Sequence, residues 1–401
     1  MLLLGSNDYL GLADHPEVVG GARDAAGRWG GGAGGSRLTT GNLAIHEQLE
    51  HELAALKRTE AALLFSSGYL AALGAIQALA GPGDLILSDA LNHASLIDAC
   101  RLSRAEVRVY GRRSRQPQPP PLSTAFGPPS PILGALREEK TTSPLSGRPG
   151  APACGSGGRG AVATGGPEPC DELRELLQDR ARFRRCLVVT DGVFSMDGDI
   201  APLADLHALC RENDAWLMVD DAHATGVLGL NGGGTAEHFG LPPSDFIHMG
   251  TLSKALGSQG GFIAGPAVVI DYLRNRARAF IFDTAPAPAC SGAALAALRI
   301  VRREPERRER LLGNARLFRE ALAPLQTGSL GNVTPIVPVI VGEADTAVAL
   351  ATRLEEAGIR GPAIRPPTVP AGTARLRLSV TAAHDEGDLR WAAQEIVRLW
   401  N

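Results

Sequence analysis

Short apolar runs alternate with helical patterns along most of this chain, and that alternation constrains the fold more than any other feature. Residues 45–56 place Leu49, Leu53 and Leu56 at helical spacing among charged residues, which predicts an amphipathic helix. The apolar run at residues 61–65 ends in Ser-Ser-Gly, which is typical of a buried strand. Alternating strands and helices predict an α/β fold with a mostly parallel sheet covered by helices.

The same reading assigns the rest of the chain and divides it into three parts. Strands are predicted at residues 84–88, 107–110, 186–190, 215–219 and 246–250, and helices at 69–80, 96–102, 173–177 and 203–210. From about Pro286 the pattern changes to one long helix, followed by strand and helix segments at 336–341, 346–357 and 375–380 and a terminal helix. We expect an N-terminal segment at 1–40 that lacks part of its natural length, a large domain at 41–285 and a small C-terminal domain at 286–401.

Residues 112–169 interrupt this alternation inside the large domain. The segment is dense in Pro, Gly, Ser and Arg and has few large apolar residues. Such a composition cannot bury enough surface to offset the chain entropy lost on folding. We therefore predict a disordered surface insertion and not a folded module. A translated non-native stretch is an alternative that the sequence leaves open.

Composition narrows the classes of function. The 401 residues carry a formal net charge of −3, which favours neither nucleic acid nor an anionic membrane. The six cysteines are scattered without zinc-ligand spacing, so we expect reduced thiols, no metal and a cytoplasmic location. No apolar run is long enough to span a bilayer. These observations leave a protein that acts on small molecules as the main expectation.

One lysine lies in a loop of small residues soon after a strand that ends in aspartate. Lys254 follows Thr251 and precedes Gly257, and Asp220 ends the predicted strand at 215–219. Pyridoxal phosphate requires an amine that holds its aldehyde as a Schiff base and a carboxylate that faces its pyridine nitrogen. A lone lysine is usually a solvated surface charge and a lone aspartate often caps a helix. Together they predict a pyridoxal-phosphate enzyme with Lys254 as the covalent anchor.

Four further positions support this interpretation, although each has a structural alternative. His223 could hydrogen-bond the phenolic oxygen of the cofactor, and Ser195 could donate to the same oxygen or merely form a turn. Ser66–Tyr69 lies between a strand and a helix, where free N–H groups bind phosphate. His93 could stack on the pyridine ring or act as a capping residue.

The assembled motifs resemble the α-oxoamine synthases, which are pyridoxal-phosphate enzymes of fold type I. The motifs are SNDYLGL, GGSRLTTGN, SSGY, LNHASL, DGVFSMDGD, MVDDAH, TLSKALGSQGG and RLRLSVTAAH, and the resemblance runs from Asn7 to about Tyr110 and from Asp171 nearly to the end. It implies a fold-type I transferase with a large domain around a mostly parallel sheet and a smaller C-terminal α/β domain. It also implies a homodimer whose active sites are shared between subunits.

The resemblance implies a role for each matching position. It makes Lys254 the anchor and the base at Cα, Asp220 the partner of the pyridine nitrogen, and His93 the stacking ring. It places His223 and Ser195 at the phenolic oxygen. It assigns the phosphate end to Gly68, Tyr69, Thr251 and Thr284, and the substrate side to Asn7, Thr368 and Arg377. An arginine suits a substrate carboxylate because it can bind both oxygens at once.

The segment Ile364–Gly372 resembles the substrate loop of one branch of that family. This branch joins L-alanine to pimeloyl-CoA, or to the corresponding carrier-protein thioester, in biotin synthesis. The alternatives are a sister synthase that uses glycine and another acyl-CoA, and a non-catalytic subunit with the same fold. Two departures from the family pattern are Ala224, where glycine is usual, and Asp283, where a small hydroxyl residue is expected beside phosphate.

Overall fold

A computed structural model describes residues 1–111, 169–325 and 334–400. The predicted insertion lies outside the described residues, apart from Pro169, which begins the helix Pro169–Leu177. The prediction of disorder for the insertion therefore stays a prediction.

Twelve strands lie in the described residues. In chain order they are β1 (Leu2–Leu3), β2 (Ala61–Phe65), β3 (Leu85–Asp89), β4 (Glu106–Tyr110), β5 (Cys186–Asp191), β6 (Trp216–Asp220), β7 (Phe246–Thr251), β8 (Gly261–Gly265), β9 (Ile336–Gly342), β10 (Ile359–Arg360), β11 (Ala363–Ile364) and β12 (Ala374–Ser379). Each of the six strands predicted for the large domain is present, with ends that differ by at most one residue.

Seven strands form the central sheet in the order β2-β8-β7-β6-β5-β3-β4. The strands from β7 to β4 in that order pair in parallel, and β8 is antiparallel to both of its neighbours. Along β3, Leu85 and Leu87 pack into one apolar cluster and Ile86 into another, so both faces of the sheet are covered. The α/β expectation is confirmed. Strand β8 was not predicted, because the glycines at both of its ends weaken the strand pattern of its short apolar centre.

The helices in the described residues cover the sheet and build the C-terminal part. They are α1 (Pro16–Trp29), α2 (Ala44–Lys57), α3 (Gly68–Leu79), α4 (Ala94–Leu102), α5 (Pro169–Leu177), α6 (Leu203–Glu212), α7 (Thr235–His238), α8 (Ala267–Arg276), α9 (Arg278–Ile281), α10 (Pro288–Arg303), α11 (Glu306–Ala321), α12 (Ala344–Glu356) and α13 (Glu386–Trp400). No described helix is long and apolar enough to cross a membrane.

The single long helix expected after Pro286 is wrong, because two helices occupy that region. α10 ends at Arg303 and α11 begins at Glu306. Pro305 between them has no N–H to continue the helical hydrogen bonds, and its ring clashes with the preceding turn. α1 was not predicted, and it packs along α10 so closely that a Cβ on Gly21 would lie 2.6 Å from the carbonyl oxygen of Gly292.

The C-terminal part contains a second sheet and shares its core with the beginning of the chain. Strands β11, β12 and β9 pair antiparallel in that order, and β1 pairs in parallel with β10. One apolar cluster contains Leu4, Leu49 and Leu378, which come from the three predicted segments of the chain. The boundaries at residues 40 and 285 therefore stay predictions, since the core itself does not separate there.

Candidate active site

Two aspartates lie side by side where the central sheet ends. Asp191 is the last residue of β5 and Asp220 the last residue of β6, and the two are partners in the parallel register. Both are buried, at 3% and 4% exposure. Burial raises the pKa of Asp220, and burial together with the charge of Asp220 raises the pKa of Asp191 well above its ordinary range. A cation in front of this edge would therefore be strongly favoured.

Lys254 supplies that cation from the loop after β7. Its Nζ forms no hydrogen bond with any side chain or carbonyl in the described ranges, and it lies in the field of Asp220 and Asp191. Burial lowers the pKa of Lys254, and the two carboxylates oppose that change. A lysine with a lowered pKa has more of its neutral amine at neutral pH, and the neutral amine is both a nucleophile and a base.

The glycines around Lys254 serve the packing of the protein itself. Gly257 has φ +55°, and a Cβ there would lie 2.6 Å from the backbone nitrogen of Ala13. A Cβ on Gly261 would lie 2.4 Å from the carbonyl oxygen of Ser67. At these two positions the backbone of residues 13 and 67 approaches too closely for any side chain larger than that of glycine.

A cavity of ≈ 170 Å³ lies in front of the two aspartates and the lysine. Its walls contain seven of the predicted site residues and five others, namely Gly68, Tyr69, His93, Ser95, Asp191, Asp220, Ala222, His223, Met249, Thr251, Ser253 and Lys254. The residues lie at or near the carboxyl ends of β2, β3, β5, β6 and β7 and at the starts of the helices that follow β2 and β3. Ligands of open α/β sheets bind at this end of the strands.

Two histidines face this cavity, and each is held by its other contacts. His93 precedes α4, and its Nδ1 lies 2.8 Å from Oγ of Ser95 and accepts a hydrogen bond from the Ser95 backbone N–H at 3.2 Å. The backbone N–H of His93 donates to Asp191 at 3.2 Å. His93 is thus a helix cap, the structural alternative, and also part of the cavity wall. Nδ1 of His223 lies 2.6 Å from Oη of Tyr9.

The other end of the cavity has the features of an anion site. α3 begins at Gly68, and Ser67 caps it by accepting from the Leu70 N–H at 3.1 Å. The first N–H groups of a helix have no acceptor within the helix, so those of Gly68 and Tyr69 remain available to an anion. Thr251 donates its hydroxyl hydrogen to the carbonyl of Gly260 at 2.8 Å, which fixes the start of the lysine loop beside α3.

Three predicted residues meet beyond His223, although they do not line the cavity. Both Nη atoms of Arg377 lie 3.3 Å from Oδ1 of Asn7, and Nε of Arg377 donates to the backbone carbonyl of Ser195 at 2.5 Å. Arg377 is 6% exposed and has no carboxylate partner among the described residues. A buried guanidinium that is bound only by neutral oxygens retains its affinity for an anion.

Two other predicted residues do not line the cavity either. Thr368 is exposed on the loop between β11 and β12, and its backbone N–H donates to the carbonyl of Arg365 at 3.1 Å. Thr284 is exposed, and its carbonyl accepts from Oγ of Ser66 at 3.0 Å, next to the turn that begins α3. Oδ2 of Asp283 is buried and has no hydrogen-bond partner in the described parts of the chain.

The substitution at Ala224 causes no backbone strain. Ala224 is fully buried, and the non-glycine residues with positive φ in the described chain are Arg58, Arg104 and Asp214. The methyl group therefore occupies core space without a left-handed backbone.

Sequence reasoning missed three residues that shape the site. Asp191 ends a buried strand as Asp220 does, so the rule that selected Asp220 also applied to it. Tyr9 lies in the SNDYLGL motif but was given no role. Lys57 ends α2, and its Nζ binds Oδ2 of Asp221 at 2.7 Å with both side chains fully buried. This pair gives Asp221 a structural role beside Asp220, and helix periodicity gave no signal for Lys57.

The donor set fits pyridoxal phosphate. It combines an amine that has no hydrogen-bond partner among the described residues, a buried carboxylate at the sheet edge, two imidazoles and a helix N-terminus around one cavity. Each group complements a different part of the cofactor, namely the aldehyde, the ring nitrogen, the ring face with the phenolic oxygen, and the phosphate.

The chain belongs to the aminotransferase class I and II family, which matches residues 1–118 and 170–396. It is 44% identical to the 8-amino-7-oxononanoate synthase of Geobacter sulfurreducens over 100% of this chain and 88% of that protein. It is also 44% identical to the enzyme of the same name from Mycolicibacterium smegmatis, over 98% of this chain and 87% of that one. These relatives confirm the resemblance drawn from the motifs.

Solved structures agree on the fold. The serine palmitoyltransferase of Sphingomonas wittichii superposes with a TM-score of 0.79 at 29% identity, covering 99% of this chain and 88% of that one. A form of the S. paucimobilis serine palmitoyltransferase with a bound PLP–myriocin aldimine gives the same TM-score at 28% identity, with the same coverage of both chains. The 8-amino-7-oxononanoate synthase of Francisella tularensis, at 24% identity and a TM-score of 0.73 over 99% of this chain and 97% of that one, supports the fold alone. The predicted fold-type I architecture is confirmed.

Proposed function

We propose that this protein uses pyridoxal phosphate to condense L-alanine with pimeloyl-CoA, or with a pimeloyl carrier-protein thioester. The products are 8-amino-7-oxononanoate, CO2 and the free thiol, as in biotin biosynthesis. One observation carries the proposal: Lys254, Asp220, His223 and His93 surround a single cavity in a chain 44% identical to synthases of that name. We further propose that it acts in the cytoplasm as a homodimer with shared active sites.

Lys254 is the residue with the largest role in this proposal. Its Nζ would hold the cofactor covalently and would act as the base that takes the proton from the alanine Cα. Burial lowers the pKa of Lys254, which raises the fraction of neutral amine that can act as a base. When bound, pyridoxal phosphate supplies an electron sink for the negative charge that develops at Cα.

The remaining residues hold the reacting groups in place. Asp220 would face the pyridine nitrogen and favour a hydrogen on it, because burial penalises a carboxylate charge that no cation faces. His93 covers the ring face, and His223 and Ser195 serve the phenolic oxygen. Gly68, Tyr69, Thr251 and Thr284 bind the phosphate.

The residues that bind the substrate are proposed from the position of Arg377 beside the cavity. Arg377 binds the alanine carboxylate, Asn7 orients its guanidinium at 3.3 Å, and Thr368 contributes from the substrate loop. The carboxylate must leave as CO2 after carbon–carbon bond formation, so the grip has to be a hydrogen-bonded ion pair and not a covalent one.

The test is a turnover assay with defined substrate pairs. Purified protein reconstituted with pyridoxal phosphate is incubated with L-alanine and pimeloyl-CoA, and free thiol is followed while the product is identified by mass. We expect thiol release that depends on both substrates and a product with the mass of 8-amino-7-oxononanoate. Lys254→Ala serves as the inactive control.

The same assay separates the alternatives. Faster thiol release from glycine and acetyl-CoA would assign the chain to a sister synthase. Protein that binds the cofactor but releases thiol from neither pair would be a non-catalytic subunit. Either result contradicts the proposed function.

A further inference from the structure

Tyr9 is a buried tyrosine whose hydroxyl group lies between the two halves of the site. The residue is 0% exposed, and its Oη lies 2.6 Å from Nδ1 of His223 and 3.1 Å from Oδ1 of Asn7. His223 belongs to the cavity wall, and Asn7 contacts Arg377. A single hydroxyl therefore connects the residue proposed for the phenolic oxygen with the residues proposed for the substrate carboxylate.

The tyrosine hydroxyl has one hydrogen and two neighbouring acceptors. Oδ1 of Asn7 already receives both Nη groups of Arg377, at 3.3 Å each. Oη of Tyr9 lies 2.6 Å from Nδ1 of His223 and 3.1 Å from Oδ1 of Asn7, so the contact with His223 is 0.5 Å shorter. The geometry also permits donation to Oδ1 of Asn7, but the shorter distance and the less satisfied acceptor favour His223 as the recipient of the hydrogen.

His223 is able to accept because its ring is neutral. Burial lowers the pKa of His223 well below its ordinary value, and Lys254, Arg377 and His93 add to that effect with their positive charge. Burial also raises the pKa of Tyr9 to about 12, so the phenol stays protonated. A neutral imidazole carries one hydrogen, and when Nδ1 accepts, that hydrogen is on Nε2.

We propose that Tyr9 is a positioning residue that donates its hydrogen to Nδ1 of His223, so that Nε2–H of His223 points to the cavity as a donor. Nε2 has no hydrogen-bond partner among the described residues, which leaves it free for an acceptor in the cavity. This inference rests on the proposed function, because the acceptor is the phenolic oxygen of pyridoxal phosphate. Tyr9 then sets the tautomer and the orientation of the His223 ring and acts only through that ring.

A double-mutant cycle tests whether Tyr9 acts through His223. The dissociation constant of pyridoxal phosphate is measured by equilibrium dialysis for wild type, Tyr9→Phe, His223→Gln and the double variant. Loss of one neutral hydrogen bond predicts a rise of about threefold to tenfold for Tyr9→Phe. In the His223→Gln background the same change is expected to add less than about twofold, since coupled residues are not additive. Equal effects in both backgrounds would overturn the proposal.

Tyr110→Phe is the matched control for loss of a buried hydroxyl. Tyr110 is 0% exposed like Tyr9, ends β4, and its hydroxyl has no hydrogen-bond partner in the described residues. We expect cofactor affinity within about twofold of wild type for this variant, because no bond to the site is lost. A rise equal to that of Tyr9→Phe would assign both effects to packing.

Proton NMR gives a readout that needs neither cofactor nor turnover. A short O–H···N bond of 2.6 Å predicts a slowly exchanging downfield proton signal. The signal should vanish in Tyr9→Phe and in His223→Gln and persist in Tyr110→Phe. Its persistence in Tyr9→Phe refutes the inference. A protein that binds no pyridoxal phosphate refutes the proposed function instead, and the proton signal still decides the role of Tyr9.

Asn7→Ala keeps the inference testable if Tyr9→Phe does not fold. This variant removes the competing acceptor and leaves the Tyr9–His223 contact in place. The downfield signal is then expected to remain, because the donor and the acceptor that produce it are both still present. Loss of the signal would show that Asn7, and not His223, receives the hydrogen.

Discussion

Two groupings of lysine and aspartate meet at the carboxyl end of β6, and their side chains have different surroundings. Lys57 and Asp221 form a 2.7 Å ion pair with fully buried side chains, and Oδ1 of Asp221 also accepts from the Thr235 hydroxyl at 2.6 Å. Lys254 faces Asp220 and Asp191 across a cavity, without a direct bond to either. Asp220 and Asp221 are consecutive, yet their side chains serve different regions.

The difference shows how one protein separates stability from reactivity. In the Lys57–Asp221 grouping each charge is in contact with its opposite and both side chains are fully buried. This pair therefore holds the turn that carries Asp220 and His223. The second leaves its charges unsatisfied, so burial shifts the pKa values of Asp220 and Lys254 toward their neutral forms. Groups kept in this state are available to a ligand, at a cost in stability to the free protein.

Lys254→Ala should have the largest effect on activity and almost none on stability. Loss of a covalent anchor and base predicts a fall in kcat on the order of 10³-fold or more. Because Lys254 forms no hydrogen bond or ion pair within the described part of the chain, the free energy of unfolding should change by less than about 1 kcal/mol. The thiol-release assay and urea unfolding measure the two quantities. Full turnover in this variant would contradict the comparison.

Lys57→Met should show the opposite pattern. It leaves Asp221 buried without its counter-charge, and breaking a buried pair in this way costs about 3–5 kcal/mol. Urea unfolding of the wild type and the variant measures this loss. The double variant Lys57→Met with Asp221→Asn is the control, since it removes both charges and should recover most of the stability. A loss below about 1 kcal/mol in the single variant would show that the pair is not what holds the turn.

Asp220→Asn and Asp221→Asn compare two neighbours directly. Removing a preorganised charge from an active site lowers kcat by about 10²-fold to 10³-fold, which is expected for Asp220→Asn. Asp221→Asn should lower stability instead, because Lys57 is left buried and unpaired. Turnover and unfolding measured on both proteins test the assignment. The comparison fails if both variants lose activity equally.

Asp191→Asn should have the smallest effect, and it should depend on pH. Burial raises the pKa of Asp191 above its ordinary 3.8, so the folded state binds this proton more tightly than the unfolded chain. The stabilising contribution is present below pH 3.8 and is lost as pH rises toward the folded-state pKa. The stability of the variant relative to wild type should therefore increase as pH rises from 4 to 7. Unfolding of cofactor-free protein across that range measures it, and a gain that shrinks with pH would contradict the cause.

Much of the fold could be predicted because its signals are local. The six predicted strands of the large domain are short apolar runs with polar or glycine ends, and each can be recognised without its neighbours. β8 was missed because glycines flank it, and the break between α10 and α11 was missed although Pro305 marks it. Both signals were present but competed with stronger helical or loop patterns.

The candidate site could be predicted in part for the same reason. Asp220 and Lys254 follow strands, and residues at the carboxyl ends of parallel strands meet at one edge. The pairing of Asp191 with Asp220 depends on strand register, which no local pattern gives. The Lys57–Asp221 pair joins residues 164 positions apart, and Tyr9 meets His223 across 214 positions.

The sequence by itself determined the α/β alternation, the reactive lysine in its loop of small residues, and the acid and imidazole types that surround it. Only the tertiary structure decided which aspartate neutralises Lys57 and which one faces Lys254, and which histidine nitrogen Tyr9 holds. The physical reason is that burial sets the energy of a charge or a hydrogen bond, and burial is a property of distant segments packed together.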